Sequence, residues 1–346
     1  MTTPTIPAGN LFMNATLYTG DGAASKVITN GVAGQAFQPD LVWIKDRSVA
    51  RNNDLMDSIR GAGNGLFSNL TNAEVASGYL TSFNSNGFTT GNDVSTNGSG
   101  ETFVAWQWKA GGTAVTNTSG TISAQVSANT TSGFSVVTYT GTGANATVGH
   151  GLGVAPSMII IKVRSRAADD WGVYHASLGN TGFLSLNTTA ANTSSSVFWN
   201  STSPTSSVFS LGTNSNVNPS GQTLVAYCWS EIAGFSKFGS YTGNGSADGP
   251  FIYTGFRPRF LMVKSSTYSG SEWNIVDASR SPDNGVSLRI YADSSAAEDS
   301  TGGSPYVDFV SNGFKIRTTN TDWNRSTDTY IYMAFAENPF KYSLAR

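Results

Sequence analysis

The 346-residue chain has little charge: Lys, Arg, Asp and Glu make up 12% of it, about half of the ~25% usual in globular domains. Its one cysteine, Cys228, excludes an internal disulfide and a cysteine-built zinc site. Two histidines, His150 and His175, stand in unrelated contexts with no metal-ligand spacing around them, so no metal and no cofactor is expected. No Lys/Arg cluster occurs and the net charge is −2, which argues against a nucleic-acid partner. No apolar run approaches the ~20 residues that span a bilayer. The opening MTTPTIPAGNLFMNATLYTG lacks the basic and apolar regions of a signal peptide. The expectation is a soluble chain made in a cytoplasm, without membrane insertion.

What is present points to β-structure. Glycine numbers 38, Ser, Thr and Asn fill much of the remainder, and Phe, Tyr and Trp are 12% of the chain. Turn formers combined with β-branched and aromatic residues predict an all-β protein with a sizeable core.

The chain also repeats itself. FQPDLVWIKDR from Phe37, VAPSMIIIKVR from Val154 and FRPRFLMVKSS from Phe256 are versions of one string. Ahead of them stand LYTGDG, TYTGTG and SYTGNG; after them come NDLMDS, WGVYHAS and WNIVDAS. Each copy closes on an aromatic strand: TFVAWQWK, TLVAYCWS or TYIYMAFA. The order of blocks is the same three times, a pattern that must be read before any other. Pro39, Pro156 and Pro258 are 117 and 102 residues apart, and the excess lies between Trp108 and Gly133.

The expected fold class is all-β, with three tandem β-sandwich (jelly-roll-like) domains from an internal repeat. The expected divisions are an N-terminal docking arm at 1–14, repeat 1 at 15–112, a linker at 113–132, repeat 2 at 133–232 and repeat 3 at 233–346. SMIIIK reads as a strand covered on both faces. The only helix-leaning patches are NLTNAEVA and SSAAED.

Lys45, Lys162 and Lys264 stand where the repeated strand leaves the core. Either they snorkel, burying the stem and exposing the ammonium, or they line a ligand site with Asp57, His175 and Asp277, which follow 12, 13 and 13 residues later. Trp199 in SSVFWNSTSPTSS and Trp323 in TTNTDWNRST lie in polar loops, where an indole is a candidate for stacking on sugar. With the three lysines, they are the candidate glycan or partner contacts. RGAGNGLF lacks the Lys-Ser/Thr of a phosphate loop and reads as a plain turn. No Gly-X-Ser-X-Gly elbow occurs. Glu101, Glu231 and Glu337 near the closing strands form no repeated acid pair of the kind a glycosidase needs. No catalytic residue is expected.

The strings FQPDLVWIKDR, SFNSNGFTTG, TFVAWQWKAGG, YTGNGSADGPFIYTGFRPRF and YIYMAFAENPFKYSLAR resemble a family of repeat-containing virion proteins, abundant in tailed phages of marine bacteria such as cyanophages and pelagiphages. The resemblance runs from about Thr16 to Arg346. It implies a structural protein on the particle surface, as tail fibre, other appendage, head fibre or capsid decoration, assembled in the host cytoplasm into the virion. No coiled-coil or collagen-like stalk precedes the copies, which favours head fibre or decoration over a tail-fibre shaft. The implied partners are other virion proteins, through homo-oligomers and capsid or tail attachment, and host surface glycans. Tandem copies multiply weak contacts into avidity. Two rival expectations are a decoration protein with no receptor role and a carbohydrate-active depolymerase.

Overall fold

Runs of β-branched and aromatic residues between Gly-, Asn- and Ser-rich turns make strands wherever they occur. The computed structural model describes residues 11–31, 36–300 and 304–337. The first copy supplies β1 (Met13–Thr19), β2 (Lys26–Thr29), β3 (Leu41–Asp46), β4 (Asn53–Asp57), β5 (Asn64–Phe67), β6 (Val75–Ala76), β7 (Leu80–Asn84), β8 (Gly87–Thr90) and β9 (Thr102–Trp108). Next come β10 (Val115–Asn117) and β11 (Ala124–Asn129). The second copy is β12 (Phe134–Thr140), β13 (Ala146–Gly149), β14 (Met158–Val163), β15 (Gly172–His175), β16 (Gly182–Ser185), β17 (Thr193–Ser194), β18 (Val208–Leu211) and β19 (Thr223–Trp229). The third is β20 (Ser236–Thr242), β21 (Phe251–Tyr253), β22 (Pro258–Ser265), β23 (Asn274–Asp277), β24 (Leu288–Tyr291), β25 (Asp299–Ser300), β26 (Val307–Val310), β27 (Gly313–Ile316) and β28 (Thr329–Ala336).

The major sheets have matching orders: β1-β9-β3-β4-β5-β6, β12-β19-β14-β15-β16-β17 and β20-β28-β22-β23-β24-β25. Each copy adds a minor sheet, β2-β8-β7, β13-β18 or β21-β27-β26. Register is preserved as well as order. Trp106 lies opposite Ala15 and Trp43, Tyr227 opposite Val136 and Ile160, and Met333 opposite Phe238 and Met262.

Side chains alternate across a strand, so each central strand feeds two cores. Val42, Ile44, Phe103 and Ala105 pack with Ile28 and Phe88 of the minor sheet of their own copy. The second and third copies do the same with their own clusters. The opposite faces, including Trp43, Trp106, Ile160, Tyr227, Met262 and Met333, join one cluster drawn from all three copies. At its centre Trp108 meets Trp229 at 6.0 Å and Phe335 at 5.9 Å between ring centroids. These three occupy the same place in β9, β19 and β28, so the copies are joined through a common core and are not strung as separate beads.

The repeated Tyr-Thr-Gly-X-Gly turn is a stitch. Tyr18, Tyr139 and Tyr241 donate their hydroxyls to the carbonyls of Thr96, Val217 and Trp323. The next residues, Asn97, Asn218 and Asn324, accept through Oδ1 from the backbone N–H of Asp21, Thr142 and Asn244. The first glycine is required by close approach: a Cβ on Gly141 would stand 2.3 Å from the carbonyl oxygen of Pro219. The second, Gly143, has a φ of +73°, which costs glycine little.

Three expectations are corrected. Residues 113–132 are not a linker, because β10 and β11 extend the second major sheet along the β12 edge and Ile122, Ala124 and Val126 enter its core. Their low charge suits an edge strand as well as it suits a loop. Residues 1–10 of the expected docking arm lie outside the described residues, but Met13 and Asn14 are buried and belong to β1. NLTNAEVA and SSAAED form no helix and carry the edge strands β6 and β25. The short helices are α1 (Val94–Asn97), α2 (Ser196–Trp199) and α3 (Thr321–Asn324).

Candidate functional site

Lys45, Lys162 and Lys264 neither snorkel nor open onto the surface: all three are 0% exposed. Each ammonium lies between two carbonyls, one from its own copy and one from a neighbour. Lys45 donates to Asp46 O (2.9 Å) and to Ser295 O of the third copy (3.3 Å). Lys162 donates to Val163 O (3.0 Å) and to Thr71 O of the first copy (3.4 Å). Lys264 donates to Ser271 O (2.8 Å) and to Thr189 O of the second copy (3.2 Å). The links run from one to three, two to one and three to two, which closes a ring. Burial pushes all three ammonium groups down to about 8, partly opposed by nearby aspartates such as Asp46, Asp169 and Asp293.

Two further layers join the same pairs of copies, the first in the same sense and the second with donor and acceptor copies exchanged. Trp171 Nε1 donates to Phe67 O (2.8 Å) and Trp273 Nε1 to Ser185 O (3.0 Å), while Asn53 Nδ2, at the matching place, donates to Tyr291 O (3.0 Å). The backbone N–H groups of Glu74, Asn192 and Glu298 donate to the carbonyls of Arg164, Ser266 and Arg47. Two of these joints carry two-point ion pairs. Arg164 meets Glu74 at 2.8 and 2.9 Å, and Arg47 meets Glu298 at 2.8 and 3.0 Å.

Asp57, His175 and Asp277 close the ring in the opposite sense. Asp57 accepts from the Tyr227 hydroxyl (2.8 Å) and Asp277 from Trp106 Nε1 (3.0 Å); His175 Nε2 lies 3.2 Å from Tyr332 O. Asp57 and Asp277 also pair with Arg60 and Arg280, which reach Glu74 and Glu298. In the second copy the corresponding residues are His175, Leu178 and Asn192, so the Asp–Arg–Glu set has no counterpart at that joint. Burial holds the His175 ring down to about 4. Its Nδ1 accepts from Ser177 N–H, capping a short 3-10 turn (Ala176–Leu178). The three lysines are thus not brought together with Asp57, His175 and Asp277 in a ligand site; the two sets bind different neighbours.

Trp199 and Trp323 are corrected too. They are 1% and 0% exposed, because α2 and α3 turn them inward from polar surroundings. Trp199 packs against Tyr174 and donates to Gly182 O, and Trp323 stacks on Tyr306. Neither can face a sugar. Glu101, Glu231 and Glu337 each pair with a cation, Arg51, Lys237 and Arg257. Among the described residues no group of His, Cys, Asp and Glu could hold a metal, and no helix is long and apolar enough to cross a membrane.

Sequence reasoning missed Arg60, Arg280, Glu74 and Glu298. The signal for the arginines is the i, i+3 pair in DSIR and DASR, which HASL lacks, and for the glutamates it is the Ala-Glu shared by NLTNAEVA and SSAAED. It also missed Phe251 and Tyr253, the aromatics among the exposed large hydrophobics of the described residues, at 48% and 65%.

Fold and joints together define an all-β, antiparallel protein in which three like units in one chain close on each other around one core. The chain belongs to the family described as Domain of unknown function (DUF7483), which it matches over residues 8–339. That span takes in all three copies, so the family unit is the closed set and not a single copy. No curated protein and no solved structure matches the chain.

Proposed function

We propose that this protein is a structural component displayed on the surface of a tailed-phage virion, built as three β-sandwich, jelly-roll-like repeats and acting by contact, not turnover. The observation that carries the reading is the use of the recurring polar groups. The lysines, the Asn53/Trp171/Trp273 set and the Asp57/His175/Asp277 set are all engaged between copies. Buried polar groups satisfied in this way specify one assembly. A rigid body of low charge suits a particle exterior, and the motif strings quoted above resemble surface proteins of such particles. Its partners are other virion proteins, reached as a homo-oligomer or by attachment to capsid or tail.

Adhesion to host glycans is the second duty, and it rests on one feature, the exposed pair Phe251 and Tyr253. A decoration role without receptor binding needs no such pair.

The test is electron cryo-microscopy of intact particles from the source phage, with the chain fitted into density. Density for the three-copy body on head, neck or tail supports the proposal. Particles that lack the protein while infected cells contain it would overturn it.

A further inference from the structure

The minor-sheet strands β2, β13 and β21 occupy matching positions, but among the described residues a further segment covers the outer edge of β13 alone. β13 is covered by the chain itself. Ile122 N–H donates to Thr147 O at 3.0 Å and forms a parallel bridge with Val148. The Thr121 backbone N–H donates to Thr147 Oγ1 and the Thr147 N–H to Thr121 Oγ1. Ile122 is 7% exposed and packs in the same cluster as Val148. Residues 120–122 therefore lie against a sheet edge and join it by an isolated bridge, with one apolar anchor and small polar neighbours.

Among the described residues β21 has no such cover. Among the described residues β27 is its one neighbour in the sheet. Pro250 O accepts from Ile316 N–H and Thr254 N–H donates to Asn312 O, so residues 250, 252 and 254 address β27. Alternation then turns the N–H and C=O groups of Phe251 and Tyr253 outward. Phe251 holds the place of Thr147, whose carbonyl takes Ile122. A free edge with unpaired backbone groups is a template for another strand.

We propose that the outer edge of β21 is a strand-addition site for an extended, uncharged segment of a partner polypeptide, which makes there the kind of bridge that residues 120–122 make to β13. The partner's apolar residue sits beside Ile252, as Ile122 sits beside Val148, and its flanks lie along Phe251 and Tyr253. Main-chain bonds give such additions affinity and the side chains alongside give specificity. The segment is uncharged because the cations next to the edge are already neutralised, Lys315 by Asp248 at 2.6 Å and Arg317 by Asp308 at 3.4 Å. The aromatics are not demanded by the fold, since the first copy has Val27 and Thr29 there and the second Thr147 and Gly149.

The test uses the intact chain and a synthetic peptide of residues 115–124, VTNTSGTISA, read by hydrogen–deuterium exchange across β21. With peptide at ~10 times its Kd, amide exchange at 251–253 should slow about tenfold, with no change at 146–149, where the edge is occupied. A peptide N-methylated at the position of Ile122 lacks the donor and should give no protection. A Tyr253→Pro chain should lose the effect; should that variant misfold, the methylated peptide decides the matter. Equal protection by both peptides, or by neither, overturns the proposal. So does protection by a soluble oligosaccharide and not by the peptide. A dimer with β21 protected in the absence of peptide would assign the edge to a second copy and likewise overturn it.

Discussion

Arg164 of the second copy and Glu74 of the first meet through two parallel N–H···O bonds of 2.8 and 2.9 Å, and Glu74 also receives Arg60 at 2.8 Å. One carboxylate thus joins two arginines from two copies. Removing it leaves both cations with fewer partners, and Arg60 has no access to water through its side chain. Glu74→Gln should cost about 3 kcal/mol in denaturant unfolding, as for breaking a buried pair. Glu231→Gln, at the exposed pair with Lys237, should cost at most about 1 kcal/mol.

Trp108 touches Trp229, Phe260 and Phe335 from the other two copies. Trp108→Ala should therefore destabilise the whole chain by about 3–5 kcal/mol. Tryptophan fluorescence and far-ultraviolet circular dichroism should shift together to one lower midpoint.

His175 is neutral when folded, its ring held at about 4 by burial against an ordinary 6.5. Between those values the unfolded chain binds the extra proton, so stability is full above 6.5 and falls as pH drops toward 4. A His175→Gln chain should lose less of its melting temperature between pH 6.5 and 4 than the parent does, by a difference equivalent to roughly 3 kcal/mol.

The lysine ring reverses the usual sense for an amine. Its three members titrate at about 8 when folded against an ordinary 10.5. Below 8 both states are charged and the burial cost is fully present; above it the unfolded chain holds more protons and stability rises with pH. The parent should gain melting temperature from pH 8 to about 9.5, before tyrosines in the unfolded chain begin to ionise near ~10. Lys264→Met should remove about one third of that gain, because three equivalent lysines share it.

Cys228 is buried, and desolvation pushes its thiol well above the ordinary value. A thiol reagent should leave the native chain unmodified and label it at the rate of global unfolding. Rapid labelling of the native protein would show that β19 opens separately from the shared core.

Much of this was legible in the sequence. The repeated strings place β3, β14 and β22 correctly, and the continuous apolar run of SMIIIK marks a strand buried on both faces. What the second face buries was not legible, because a strand facing a neighbouring copy reads like one facing its own sheet. The closing contacts were hidden for another reason: Asn53, Trp171 and Trp273 do one task with different chemistry. Lysine reads as an exposed residue because its full burial is rare without partners, and here the partners are carbonyls, which composition does not display. Trp199 and Trp323 sit in polar strings, and only the short helices that carry them decide where the indoles go.

Calorimetric unfolding of the intact chain tests the shared core most directly. If three copies close on one centre, a single transition is expected, with calorimetric and van't Hoff enthalpies equal. Three resolved transitions, or a calorimetric enthalpy several times the van't Hoff value, would contradict it, since each copy would then be melting separately.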